Sequence, residues 1–183
     1  MELVVPALPY LASYTDALQR GWSPDNTRLE AASREELAKI AVDPAAFVAS
    51  LDDREAKGGD ITLPDGSKIP RLPGFRRWMW DGEFCGSIGF RWQPGTEALP
   101  VHSLGHIGYT VVPWKRQRGY ATRALTRMLA AARRENLAWV ELTTDTDNEA
   151  SQKVILANGG RLIERFRSPS HGEEERLRFR IPL

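Results

Sequence analysis

The segment from Gly105 to Ala132 constrains the fold of this chain more than any other. Residues Gly105–Val112 alternate in the manner of a β-strand, and after a short basic loop apolar side chains recur at helical spacing. These apolar residues are Ala121, Ala124, Leu125, Met128, Leu129 and Ala132. A strand that turns so directly into an amphipathic helix predicts that the helix packs back on the sheet, in a layered fold of helices and strands.

The beginning of this helix is a candidate anion site. The first N–H groups of a helix have no intrahelical partners, and the peptide dipoles place about half a positive charge there. Gly119 leaves room for a ligand, and the short side chain of Ala121 does not obstruct it. Thr122 can add a hydroxyl donor. Nearby basic residues are Lys115, Arg116 and Arg118. The spacing matches neither the nucleoside-triphosphate loop nor the three-glycine dinucleotide fingerprint. At this stage, a simple turn with a solvated basic face remains an alternative.

Helices are expected to dominate the first third of the chain. They are Leu11–Arg20, Ser33–Ile40 and a short helix after Asp43-Pro44. Ser33 followed by Glu36 suggests a capping box. Asp43 can cap the short helix, and proline in a first turn loses no hydrogen bond.

Strands and one further helix account for the rest. Phe75–Trp80 and Phe84–Trp92 predict a hairpin with Asp81-Gly82 as a type I′ turn, and Ile61–Pro73 predicts a flap that turns at Asp65-Gly66. The later elements are strand Trp139–Thr144, helix Asn148–Ala157, strand Arg161–Phe166 and strand Arg176–Ile181. The interpretation is an α+β fold with three α/β/α layers and a mixed, mostly antiparallel sheet.

Composition limits the classes of function. The 183 residues suit one domain, 1–183, in which 1–73 supply helices and a flap and 74–183 supply the hairpin, the core and the C-terminal strands. With 25 Lys+Arg against 24 Asp+Glu, the net charge of +1 gives no strong pull toward nucleic acid or acidic membranes. The single cysteine cannot form an internal disulfide, and no apolar run could span a bilayer. We expect a cytoplasmic protein with no metal site, no nucleic-acid partner and no membrane partner, and a homodimer is possible.

The motif residues resemble those of the GNAT superfamily of N-acetyltransferases. That family carries Arg/Gln-x-x-Gly-x-Gly/Ala at a strand-to-helix turn, and this chain has Arg116-x-x-Gly119-x-Ala121. The likeness extends over about Phe75 to Phe166 and is greatest to bacterial predicted acetyltransferases with a "GHIGY…RGYAT…DN…S…NGG" pattern. It implies a sheet splayed open between the motif strand and Trp139–Thr144, with the pantetheine arm of acetyl-CoA in the gap.

The resemblance also implies the cofactor-binding residues. The backbone of Val111 and Val112 would pair with pantetheine, while Asn148 and Ser151 would lie near the same arm. The residues around the pyrophosphate would be Arg116, Gln117, Arg118, Gly119, Tyr120, Ala121 and Thr122. Because Asn is also a favoured helix cap, a capping role for Asn148 stays open.

The catalytic groups are harder to assign. His106 is the first candidate base, because an unperturbed pKa of about 6.5 suits proton transfer, although it could instead form a hydrogen bond across the sheet. Glu141 is the second candidate, and it could instead pair with an arginine. Many GNAT enzymes have a tyrosine that protonates the departing CoA thiolate at the position where this chain has Ile155.

The expected activity is acetyl transfer to an amine of a small molecule or a protein. The alternative is a non-catalytic acyl-CoA-binding module.

Overall fold

A computed structural model describes residues 1–62, 66–168 and 174–183 of the chain. The helices are α1 (Leu8–Gln19), α2 (Leu29–Val42), α3 (Pro44–Ala49), α4 (Tyr120–Ala132) and α5 (Glu149–Ala157). The strands are β1 (Glu2–Val4), β2 (Asp52–Asp53), β3 (Ile61–Thr62), β4 (Lys68–Ile69), β5 (Gly74–Trp80), β6 (Phe84–Arg91), β7 (Ile107–Val111), β8 (Trp139–Asp145), β9 (Arg161–Arg167) and β10 (Glu175–Pro182).

The strands form two main sheets. One has the order β1-β5-β6-β7 with β2 beside β5, and the other has the order β8-β10-β9. Each described pairing is antiparallel. The α+β class and the mainly antiparallel strand arrangement are therefore confirmed. Strands β3 and β4 pair with each other, and part of the Asp65-Gly66 turn predicted between them lies outside the described residues.

The two sheets meet where β7 and β8 begin. The backbone N–H of His106 donates to the Glu141 carbonyl at 2.8 Å, and the Glu141 N–H donates to His106 Nδ1 at 3.0 Å. Gly105 packs so closely that a Cβ there would lie 2.8 Å from the Glu141 oxygen. Among the described residues, no strand pairing joins β7 to β8 beyond this point. A gap between the two strands results.

Each face of the first sheet is covered by its own core. On one face, α4 contributes Leu125 and Met128 to a cluster with residues of both sheets. On the other face, Tyr14 of α1 stacks on Trp78 with ring centroids 4.4 Å apart. The predicted apolar stripe of α4 is buried except for Ala121, which is half-buried. No helix in the described ranges is long and apolar enough to cross a membrane.

The predicted capping box at Ser33 is wrong. Helix α2 begins at Leu29, so Ser33 lies one turn inside it, and its hydroxyl donates to the Trp22 carbonyl at 3.0 Å. Glu36 instead accepts a hydrogen bond from Arg76 at 2.9 Å. The cap of α3 is confirmed, because the Asp43 carboxylate accepts from the Ala46 N–H at 2.9 Å.

The predicted type I′ turn between β5 and β6 is also wrong. Trp80 pairs with Phe84, which leaves a three-residue loop, and only Gly82 within it has a positive φ, of 106°. A type I′ turn needs two consecutive residues with positive φ. The register shift between Met79 and Trp80 accommodates one extra residue of β6.

Candidate active site

The turn before α4 presents backbone donors to solvent. Gly119 is the N-cap residue with φ 68° and ψ 16°, and no side chain caps the helix there. The first backbone bond of the helix runs from the Arg123 N–H to the Gly119 carbonyl at 3.1 Å. Among the described residues, no side chain accepts from the N–H groups of Gln117, Arg118, Tyr120, Ala121 or Thr122. These amides are thus free to receive an anion, as expected for a pyrophosphate site.

Two left-handed residues shape the turn. Gln117 has φ 61° and Gly119 has φ 68°. A Cβ added to Gly119 would meet only Arg123 Nη1, at 3.7 Å, so the space above the turn is open. Glycine is favoured there because its backbone adopts this conformation at little cost. The open space is the second reason, since it allows a ligand to approach the backbone closely.

The positive charge at the turn comes from arginines rather than from Lys115. Lys115 contacts Asp81 at 3.1 Å and Glu83 at 2.6 Å, so its charge is already compensated. Tyr120 also donates to Asp81, which fixes its ring beside the loop. Arg116 and Arg118 are exposed and form no ion pair with any described residue. They remain available for phosphate oxygens.

The backbone of Val111, but not that of Val112, faces the gap. The Val112 N–H donates to the Cys85 carbonyl of β6 at 3.0 Å, and its own carbonyl accepts from Lys115 N–H. Because neighbouring residues of a strand direct their backbone groups to opposite sides, those of Val111 point away from β6. The Val111 carbonyl accepts from Arg116 Nε at 3.4 Å. The expectation that the Val112 backbone pairs with pantetheine is thereby corrected, because its N–H and its carbonyl both have partners in the protein.

Helix α5 closes the other side of the gap. The Asn148 side chain accepts from the Ser151 N–H at 3.0 Å, so it does cap the helix, and its amide nitrogen donates to no residue that the structure describes. The Ser151 hydroxyl lies 2.8 Å from the Tyr109 hydroxyl of β7. Burial raises the pKa of Tyr109 to about 12, so this phenol stays protonated at neutral pH. A pair of hydroxyls thus links β7 to α5.

Ile155 offers no proton donor. Its side chain is fully buried in the main core, one helical turn beyond Ser151. Cys85 is buried as well, and burial raises the pKa of its thiol to about 12, which removes it as a nucleophile. The Tyr109–Ser151 pair was not foreseen in the sequence, because only the fold brings a strand residue and a helix residue 42 positions apart into contact.

His106 is held in a structural position. The ring is fully buried, and its Nδ1 lone pair is occupied by the Glu141 N–H. Nε2 is buried and has no hydrogen-bond partner among the described residues. Burial lowers the pKa of His106 to about 4 although the Glu141 carboxylate opposes the shift. This arrangement favours the cross-sheet role over that of a general base.

Glu141 is engaged by arginines. Its carboxylate accepts from Arg180 Nη2 at 2.7 Å and from Arg180 Nε at 3.3 Å, and Arg178 lies 3.8 Å away. The Arg180 guanidinium also stacks on Trp139, 3.8 Å from the ring centroid. The carboxylate oxygens of Glu141 are thus occupied by two guanidiniums of β10. The ion-pair alternative for Glu141 is the one that the geometry supports.

Solved structures with the same fold are numerous, although their sequences are distant. The microcin C7 self-immunity acetyltransferase MccE, solved with acetyl-CoA and AMP, has a TM-score of 0.63 at 12% identity over 99% of this chain and 91% of its own. Mycobacterium smegmatis RimJ, solved with CoA-disulfide, has a TM-score of 0.63 at 19% identity over 98% and 85%. A Salmonella typhimurium acetyltransferase that modifies the N-terminal serine of ribosomal protein L7/L12 has a TM-score of 0.64 at 13% identity over 99% and 94%.

Sequence comparison identifies the family. No curated protein matches the chain significantly. The family model described as acetyltransferase (GNAT) domain matches residues 20–161, well over half of the chain. That match includes the α4 turn, the gap and α5, and the chain therefore belongs to the GNAT family of acetyltransferases.

Proposed function

We propose that this chain transfers the acetyl group of acetyl-CoA directly to a primary amine. The observation that carries the proposal is the row of uncapped amides from Gln117 to Thr122, placed at the mouth of the gap between β7 and β8. Acetyl-CoA supplies an activated thioester. The backbone amides would bind its pyrophosphate, together with the Arg116 and Arg118 guanidiniums.

The gap would hold the rest of the co-substrate. The outward backbone of Val111 can pair with an amide of the pantetheine arm as a neighbouring strand would. The free amide nitrogen of Asn148 can donate to a pantetheine carbonyl. Both residues border the gap, so the thioester would lie beside β7, near Thr110 and Val111.

Transfer requires two proton movements. The amine nitrogen forms a bond to the acetyl carbon and loses a proton, while the carbon–sulfur bond breaks and the sulfur gains a proton. We assign the donation toward sulfur to the Tyr109–Ser151 hydroxyl pair, because it bridges β7 and α5 where the helix has Ile155 in place of a donor. Water would accept the amine proton, since His106 and Glu141 are both engaged elsewhere.

Binding and turnover should be measured together. Calorimetry with acetyl-CoA reports cofactor affinity, and a thiol-release assay over a panel of amines reports transfer. Gly119→Glu should abolish binding, because it places a carboxylate among the phosphate donors. Gly95→Glu is the matched control: Gly95 also has a positive φ, of 80°, with no neighbour within 4 Å.

Each result has a distinct meaning. CoA release with any amine, lost in Gly119→Glu and kept in Gly95→Glu, supports the proposal. Binding without release over the whole panel would instead favour a non-catalytic acyl-CoA-binding module. A folded Gly119→Glu protein with undiminished affinity would show that the cofactor binds elsewhere.

A further inference from the structure

Two neighbouring glycines leave a trough in the face of the first sheet. In the register of β5, β6 and β7, Arg76 is opposite Gly89, and Gly89 is opposite Gly108. A Cβ added to Gly89 would approach only the Phe75 carbonyl, at 3.8 Å, and one added to Gly108 only Arg91, at 3.9 Å. Neither glycine has a positive φ. Beside the two glycines, the only side-chain atom of the described residues within 4 Å of an added Cβ is therefore the Arg91 Nη2 atom.

The trough lies on the face covered by α1 and α2. Arg76 reaches from the same row to Glu36 of α2 and Tyr14 of α1. Trp22, which follows α1, donates its indole N–H to Thr110 of β7 at 3.2 Å. Because side chains alternate between the faces of a strand, Gly108 and Thr110 share this face. The trough thus runs beside the part of β7 where the thioester is proposed to lie.

Arg91 extends into the trough from β6. Its neighbours Phe90 and Trp92 point into the main core, so Arg91 points to the opposite face, where its Nη2 atom lies over Gly108. The side chain is exposed, yet surrounding protein lowers the pKa of its guanidinium, as does nearby Arg76, while Asp25 opposes the shift. An accessible cation between protein walls is well placed to bind an anion.

The other charges around the trough already have partners. Arg76 pairs with Glu36 at 2.9 Å. The Asp25 carboxylate accepts from the backbone N–H groups of Thr27 at 2.8 Å and Arg28 at 3.0 Å. Arg91, by contrast, forms no hydrogen bond or ion pair through its side chain with any residue in the described ranges. An exposed guanidinium that donates to no protein acceptor can hold an anion through charge-assisted hydrogen bonds.

We propose that the Gly89–Gly108 trough binds an acceptor with an anionic group near its reactive amine, and that Arg91 holds that anion. The inference rests on the proposed acetyl transfer and specifies its substrate class. The reacting amine would lie near Thr110, beside the thioester, and the anion would lie near Gly108, below Arg91. Thr110 and Gly108 are two residues apart on β7, a separation of about 7 Å. The anion should therefore lie within about 7 Å of the amine. A short amino acid has this geometry, and so does a peptide N-terminus followed by an acidic side chain.

Two pairs of acceptors, each matched in shape but differing in charge, test whether the anion is recognised. They also distinguish a short amino acid from a peptide N-terminus as the acceptor. The first pair is β-alanine and its amide, and the second is Ala-Asp-Ala amide and Ala-Asn-Ala amide. We expect kcat/KM to be at least about 10-fold higher for the acidic member of one pair. Arg91→Met should remove that preference, and Arg91→Lys should keep part of it because Lys retains the charge but not the planar fork. Arg134→Met is the control, since Arg134 is exposed beyond α4.

A binding measurement decides the inference without turnover. The N-acetylated forms of the same four compounds are titrated into the protein with and without CoA. The acidic member of one pair should bind at least about 10-fold tighter, and Gly108→Leu should weaken it while leaving acetyl-CoA affinity unchanged. Equal binding within both pairs, or a preference that survives Arg91→Met, would overturn the inference. Acidic probes that bind through Arg91 without any CoA release would instead overturn the proposed transfer alone.

Discussion

His106 shows how one buried side chain can serve the fold rather than the chemistry. Its pKa is lowered by burial to about 4, whereas an unfolded histidine titrates near 6.5. Between about pH 4 and pH 6.5 the unfolded state therefore binds more protons than the folded state. The contribution of His106 to the free energy of unfolding is complete above about pH 6.5 and decreases as the pH drops toward about 4. The loss amounts to about 3 kcal/mol once the pH is below both values.

The matched variant is His106→Asn, whose side-chain oxygen can still accept from the Glu141 N–H. Urea unfolding from pH 7.5 to pH 4.5 should show a shallower pH dependence for this variant than for the wild type. Its kcat should retain the wild-type pH profile. Loss of a kinetic pKa in the variant, with stability unchanged, would make His106 the base after all.

The hydroxyl pair of Tyr109 and Ser151 should be needed for turnover but not for cofactor binding. Tyr109→Phe removes the hydroxyl but leaves the ring, so kcat should fall about 100-fold while acetyl-CoA affinity changes little. Ser151→Ala should have a comparable effect, and the double variant should cost hardly more than either single one if the hydroxyls act as a unit. Pre-steady-state thiol release measures this. Additive losses would mean that the two groups act independently.

At the scale of elements, sequence patterns were informative where local interactions decide the outcome. The apolar stripe of α4 and the Asp43 cap of α3 depend on residues within one or two turns of each other, and both are confirmed. Ser33 had the local pattern of a cap as well, but its hydroxyl bonds to Trp22 because the tertiary fold extends α2 to Leu29. The loop at Gly82 likewise follows from the register shift between β5 and β6, which no local signal reveals.

The α3 cap leads to a test of element stability. Asp43→Ala leaves the Ala46 N–H without its acceptor and should lower the free energy of unfolding by about 1 kcal/mol. Asp43→Ser keeps an oxygen acceptor and should restore most of this loss. The effect is global because α3 places Phe47 in the core under α1. Equal stability of the alanine and serine variants in urea would show that the hydrogen bond contributes nothing.

At the scale of the whole molecule, the separation into two sheets was the feature least accessible to local reasoning. Strands β7 and β8 both have ordinary strand patterns, and nothing in either pattern shows that they diverge. The resemblance to the family implied the gap, and the structure shows its origin: the strands touch through His106 and Glu141 and form no further pairing within the described ranges. The choice between catalytic and structural roles for His106 and Glu141 was beyond local reasoning for the same reason, since burial and ion pairing are tertiary properties.

The junction between the two sheets leaves no room for a side chain at Gly105. A Cβ on Gly105 would lie 2.8 Å from the Glu141 carbonyl oxygen and 3.2 Å from the Leu142 Cα, and both neighbours are backbone that must move. Gly105→Ala should therefore lower the free energy of unfolding by about 1–3 kcal/mol, as overpacking does. Gly108→Ala is the control three residues along the same segment, where the nearest atom is 3.9 Å away, and it should be nearly neutral. Because the junction sets the width of the gap, Gly105→Ala should also weaken acetyl-CoA binding, whereas Gly108→Ala should not. Equal stabilities and affinities would mean that the two sheets are not held together at Gly105.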